Sequence, residues 1–153
     1  MPAFYAKQAI MSNEKSGRKL VHVMRQAIRW GDMDVLGHVN NTVYFRYMES
    51  GRIYFLEEAA GEFKMQGEGP VIVTAYCTFI KQLKYPGEIE VRTYAGAPGR
   101  SSFEVTHEIS LVDADGKAEV VYAEGGGKVV WIDFQKEKSV PLPEHLKKRL
   151  PTA

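Results

Sequence analysis

The densest chemistry in the sequence lies in Arg29-Trp-Gly-Asp-Met-Asp-Val-Leu-Gly-His-Val-Asn-Asn-Thr-Val-Tyr-Phe-Arg-Tyr-Met-Glu-Ser-Gly-Arg52. Asp32 and Asp34 offer two carboxylates, His38 an imidazole, and Asn40 and Asn41 open a stretch that reads as a helix. An aspartate of ordinary acidity, reference pKa about 3.9, is ionised at neutral pH and can attack a carbonyl or activate water. The first N–H groups of a helix lack intrahelical partners and carry the positive end of its dipole. Acyl transfer needs both parts, a nucleophile or base and donors for the developing oxyanion.

Each residue also has a plainer role. An aspartate just before a helix is more often a turn or cap residue than a catalyst. That role is preferred for Asp32, which is expected to bond local backbone or to pair with Arg29. His38 suits a structural hydrogen bond near the helix start at least as well as a proton shuttle. Either Asn40 or Asn41 can cap the helix. Asp32-Met-Asp34-Val-Leu36-Gly37 superficially matches the opening of a calcium loop, but the fifth and twelfth positions are Leu36 and Val43, which carry no ligand oxygen. Asp-x-Asp also opens aspartyl-phosphate phosphatases, which need a parallel sheet that the rest of this chain does not encode.

The surrounding elements must position these groups. Arg18 to Trp30 suits a strand with partial alternation, and Thr42 to about Ala60 a helix with Tyr44, Tyr47, Met48, Tyr54 and Phe55 as its apolar stripe. Ser50 and Gly51 leave room there for close packing, and Gly61 is a natural stop. From Val71 onward the pattern is strand. Val71–Lys81 is apolar on both faces, as in a central strand. Ile89, Val91 and Thr93 alternate with charged residues, and Phe103, Val105, His107, Ile109 and Leu111 give the cleanest period-two signal. Asp113-Ala-Asp-Gly116 reads as a hairpin turn, and Lys117–Asp133 as a long last strand with a bulge or bend at Gly125-Gly126-Gly127. Pro141–Leu150 suits a short terminal helix. One helix followed by consecutive antiparallel strands is α+β, with the helix lying in the concave face of one curved sheet.

Bulk properties narrow the function. The chain has 153 residues, one domain's length, with residues 1–17 as a poorly ordered lead-in and 18–150 as the domain. A formal net charge of +1 provides no global field to recruit nucleic acid or an anionic membrane. No run reaches the length of a membrane span and no signal peptide is evident, so a cytoplasmic protein is expected. The single cysteine, Cys77, cannot form an internal disulfide and reads as a buried, unreactive thiol.

The segment quoted above resembles the signature of hotdog-fold acyl-CoA thioesterases of the 4-hydroxybenzoyl-CoA thioesterase type. The matching features are Asp32-Met-Asp34, Gly37, Asn40-Asn41, Tyr44 and Glu49-Ser-Gly-Arg52. Tyr85-Pro-Gly-Glu-Ile-Glu-Val91 and Gly99-Arg-Ser-Ser-Phe103 look like the same family's strand starts. The resemblance implies a hotdog fold, a curved antiparallel sheet wrapped around one long central helix. It places the catalytic carboxylate on Asp34, as nucleophile or general base, and the polarising backbone amide on Asn41. Arg100, flanked by Gly99 and Ser101, falls where the family contacts coenzyme A phosphates, with Lys81 and Lys84 as weaker candidates. Glu49 is the rival carboxylate, since a separate branch carries its catalyst about two turns into this helix; pairing with Arg52 or support of the site is preferred. No metal or cofactor is implied. The expected partners are the acyl-CoA substrate and a second copy of the chain, in a homodimer or homotetramer. Two alternatives stand beside hydrolysis: a hotdog hydratase or dehydratase on acyl-CoA, and a non-catalytic acyl-CoA or acyl-carrier binding module. His22, His107 and His145 are read as structural. Tyr47, Tyr54, Phe55, Met48 and Phe63 could line a fatty-acyl tunnel or an aryl pocket.

Overall fold

A computed structural model describes residues 17–61 and 67–152; most of the expected lead-in, and Phe63, lie outside the described residues. The long helix α1 (Asn41–Ala60) forms where the apolar stripe requires it. Its buried residues Tyr44, Tyr47, Met48, Gly51, Phe55, Leu56 and Ala59 recur every three to four positions, so one face is held against the sheet. The sheet is antiparallel and curved. It comprises β1 (Lys19–Ala27), β2 (Glu68–Phe79), β3 (Glu88–Ala95), β4 (Ser102–Leu111) and β5 (Val121–Asp133) in the spatial order β1-β3-β4-β5-β2. A short β6 (Lys138–Ser139) pairs with β5, and a short α2 (Glu144–Lys147) closes the chain.

The helix divides the core into two clusters. Its C-terminal half (Phe55, Leu56, Ala59) packs with Phe103, Trp131, Leu142 and Leu146. Its N-terminal half (Tyr44, Tyr47, Met48) packs with Ile28, Leu83, Ile89 and Ile109. The Asp113–Lys117 turn is closed by Gly116 N–H to Asp113 O at 3.0 Å and Asp113 N–H to Lys117 O at 2.8 Å.

Two expectations are corrected. β2 is an edge strand, not a central one: it pairs only with β5 among the described strands, and Ile72, Val73 and Tyr76 are 40%, 54% and 52% exposed. Its outer edge has no partner among the described strands, and these apolar side chains are left partly exposed there. Gly125–Gly127 contain no bulge either; β5 runs through them in continuous register with β2, and the register shift lies at Ile72/Thr74. A side chain at Gly125 would place Cβ 2.6 Å from Met48 Sδ, so the glycine lets helix and sheet approach.

Gly51 serves the same end from the helix side. A Cβ there would lie 2.7 Å from Thr93 Oγ1 and 3.1 Å from Val91 Cγ1. Gly51→Ala gains up to about 1 kcal/mol of helix propensity, but overpacking costs about 1–3 kcal/mol. Thermal denaturation is expected to show net destabilisation; a more stable variant would mean the helix can shift freely.

Candidate active site

The loop between β1 and α1 is fixed residue by residue. Ile28 N–H donates to Gly87 O at 2.8 Å, and a single 3-10 turn (Trp30–Asp32) follows. Asp32 Oδ2 accepts from the Arg29 N–H at 2.9 Å and from the Tyr47 hydroxyl at 2.7 Å. Its backbone O accepts from Asn40 N–H at 2.9 Å, so this aspartate ties the loop to both ends of its own path. Burial first, and then the Asp32 carboxylate, raise the Tyr47 pKa, so its phenol stays protonated and keeps donating.

Asp34 occupies the turn beyond. Its N–H donates to His38 O at 2.9 Å, and its O accepts from Gly37 N–H at 3.1 Å. Gly37 has φ +80°, a left-handed conformation that favours glycine. Asp34 Oδ1 accepts from Leu36 N–H at 2.9 Å, while Oδ2 has no partner among the described residues. The helix cap is Asn40, whose Oδ1 accepts from Thr42 N–H at 2.9 Å and Thr42 Oγ1 at 2.7 Å. Asn41 is the first helical residue, and no group among the described residues accepts from its N–H. Tyr44 anchors this end, accepting from Leu83 N–H at 3.1 Å. The loop thus presents a half-free carboxylate close in sequence to an unpaired amide at the positive end of a 20-residue helix.

Arg100 is exposed and lies elsewhere. The loop that carries Asp34 is tied to the segment leading into β3 by Ile28 N–H to Gly87 O and Val39 N–H to Leu83 O, whereas Gly99–Ser101 follow the end of β3 and are tied to the C-terminal segment by Leu142 N–H to Arg100 O. An eight-residue strand spans about 26 Å, so one chain does not bring the two sets together. Lys81 and Lys84 are exposed, and Lys81 Nζ lies over the Tyr122 ring.

Glu49 pairs with Arg46 at 2.9 Å rather than with Arg52. Arg52 itself, half-buried, has no hydrogen bond or ion pair among the described residues. It lines a cavity of about 170 Å³ with Phe45, Met48, Glu49, Ile72, Ala75, His107 and Gly126. His107, expected to be merely structural, is 1% exposed; its Nδ1 meets Thr93 Oγ1 at 3.0 Å and its Nε2 has no partner. The sequence signal was a histidine on the inward face of an otherwise apolar alternation. His22, by contrast, faces Glu58 at 3.7 Å and stacks on Tyr54. Burial pushes the half-buried Cys77 thiol up to about 12, so it stays protonated at neutral pH. Among the described residues, no group of His, Cys, Asp and Glu is arranged to hold a metal ion, and no helix is long and apolar enough to cross a membrane.

Burial, with the Arg52 charge adding to it, lowers the His107 pKa from 6.5 to about 3. An unfolded chain protonates this ring below about pH 6.5, whereas the folded chain refuses the proton until about pH 3. Stability is therefore fully present above that window and declines as pH falls through it. Tm is expected to drop from about pH 7 to about pH 4, and His107→Gln to flatten part of that drop. Parallel profiles for the two proteins would contradict the buried neutral ring.

Residues 28–150 match the family model of the thioesterase-like superfamily, and the chain belongs to that superfamily. The Pseudomonas aeruginosa protein PA2801, a candidate thioesterase, is 34% identical with a TM-score of 0.79, over 85% of this chain and 98% of that one. BH1999, a gentisyl-coenzyme A thioesterase, is 27% identical with a TM-score of 0.69, over 82% of this chain and 98% of that one. The uncharacterized Bacillus subtilis protein YsmA is 24% identical over 72% of this chain and 80% of its own length. The curved sheet around one long helix is the hotdog fold of these structures.

Proposed function

We propose that this chain hydrolyses acyl-CoA thioesters to the free acid and coenzyme A, as a thioesterase of the 4-hydroxybenzoyl-CoA type. The carrying observation is the free Oδ2 of Asp34 on the same loop that leads into the unaccepted Asn41 N–H. In this reading the Asn41 amide donates to the thioester carbonyl oxygen and stabilises the charge that develops there. Asp34 either attacks the carbonyl carbon, giving an acyl–aspartyl anhydride that water then hydrolyses to the free acid, or takes a proton from the water that attacks the carbon; in both routes the carbon–sulfur bond breaks and the thiolate leaves to be protonated. Gly99, Arg100 and Ser101 supply charge and exposed amides for coenzyme A phosphates.

Because those residues lie far from Asp34 in one chain, the complete site belongs to a subunit boundary. The bare β2 edge and its exposed apolar residues give the boundary a physical motive, and we place a second copy there, in a homodimer or homotetramer. Trp30, Val35 and Leu36, exposed on the loop that carries Asp34, also suit a covering partner or substrate.

One observation favours a non-catalytic module: Asp34 Oδ1 closes a turn on Leu36, the work an aspartate does in any tight loop. Release of free thiol from a panel of aliphatic and aromatic acyl-CoAs separates the readings. Turnover with at least one thioester is expected, and silence across the panel would leave the binding module or a hydratase or dehydratase in its place.

A further inference from the structure

The cavity contains two hydrogen-bonding groups that the proposed chemistry does not use. Arg52 brings a cation with no hydrogen-bonded partner among the described residues, and His107 a buried ring nitrogen without one, and both residues line the same space. Thr93 is wholly buried, and among the described residues its hydroxyl bonds only His107 Nδ1. If Nδ1 carried the proton, the Thr93 hydroxyl hydrogen would have no acceptor; assigning the donor role to Thr93 satisfies both groups and puts the ring proton on Nε2. Arg52 and His107 therefore bring to the cavity donors that no side-chain oxygen among the described residues meets by a hydrogen bond. Glu49 lines the same space and its charge acts on Arg52, but its Oε1 is held by Arg46 and it forms no ion pair with Arg52. A half-buried guanidinium and an unmet buried donor are both unfavourable until an anion arrives.

The position of the cavity says how such an anion enters. Asn41, Phe45, Met48 and Arg52 recur at helical spacing, so the cavity lies along the helix stripe that begins at the Asn41 amide. Arg52 is eleven residues on, about 16 Å along the axis, and helical side chains lean back toward the N-terminus. A volume of about 170 Å³, walled by Phe45, Met48, Ile72 and Ala75, fits a short chain rather than a long fatty acid.

We propose that the acyl group taken by this cavity ends in a carboxylate, held by the Arg52 guanidinium and the His107 Nε2–H, so that the preferred substrates are short dicarboxylic half-thioesters. This specificity rests on the thioesterase reading for its role, but not for its test. Non-hydrolysable coenzyme A thioethers bearing a 4-carboxybutyl chain or a methyl-ended chain of equal length are titrated into the full-length protein by calorimetry. The carboxylate-ended analogue is expected to bind about tenfold to a hundredfold more tightly, the effect of a charge-assisted hydrogen bond, and Arg52→Gln to erase the difference. Equal or weaker binding of the carboxylate-ended analogue to the unaltered protein overturns the proposal without any variant, as does a preference that survives Arg52→Gln. Turnover of the matched thioesters is measured in parallel. Hydrolysis without a preference sinks this inference alone, and a binding preference without hydrolysis of any thioester sinks the thioesterase reading alone.

Discussion

Replacing Asp34 with asparagine is expected to lower thioester turnover by about 10²- to 10⁴-fold, the contribution typical of a positioned acid–base group. The asparagine side chain keeps an oxygen that can accept from Leu36 N–H, so the turn survives and the loss reports chemistry rather than folding. Glu49→Gln is the paired control. Its amide oxygen can still meet Arg46, and turnover is expected to change far less. The reverse ranking, with Glu49→Gln silent and Asp34→Asn active, would move the chemistry two turns into the helix. Measuring kcat and KM for both variants separates a lost catalyst from lost binding.

The second large effect is expected from Val73→Lys on the edge strand. Lysine on an exposed edge is a device by which natural sheets refuse partners. Val73 is 54% exposed in the single chain, so the substitution is mild for the fold; across a subunit boundary it buries an unpaired charge, at a cost of about 2–5 kcal/mol. Light scattering at micromolar concentration is expected to give an oligomer for the unaltered protein and a monomer for the variant. Turnover should fall with it, since Asp34 and Arg100 sit at opposite ends of one chain's sheet. A monomeric unaltered protein, or a monomeric variant with full activity, would remove the shared site.

Much of the architecture could be read from residue pattern. The Tyr44–Phe55 stripe located the helix, and the alternation from Phe103 to Leu111 located β4, because both periodicities are written directly in burial. β2 was misplaced for a physical reason. A strand apolar on both faces reads the same whether its neighbour belongs to its own chain or to another, and only the sheet order places it at an edge. The glycines of β5 misled likewise, since glycine serves close approach as readily as bulging, and only the tertiary neighbours decide between them, Met48 and Tyr76 at Gly125 and the flanking strands at Gly126 and Gly127.

The candidate site divides along the same line. Asp32, Asp34, Asn40 and Asn41 are consecutive enough for their loop chemistry to be legible, and the bond from Arg29 N–H to Asp32 matches the local role expected of it. Which asparagine caps was open in the sequence, and the geometry gives the cap to Asn40, leaving the Asn41 amide unpaired. The cavity was invisible for the opposite reason. Arg52 comes from α1, Ala75 from β2, His107 from β4 and Gly126 from β5, so nothing short of the tertiary fold brings them together.

The carbonyl stretch of a bound thioester probes the helix end itself. Using the slow Asp34→Asn protein and a substrate carrying ¹³C at the thioester carbon, the infrared band is compared free and bound. Donation from the Asn41 amide predicts a displacement to lower frequency on binding. A band that stays where it is in water, or moves upward, would mean that the carbonyl never reaches the start of the helix.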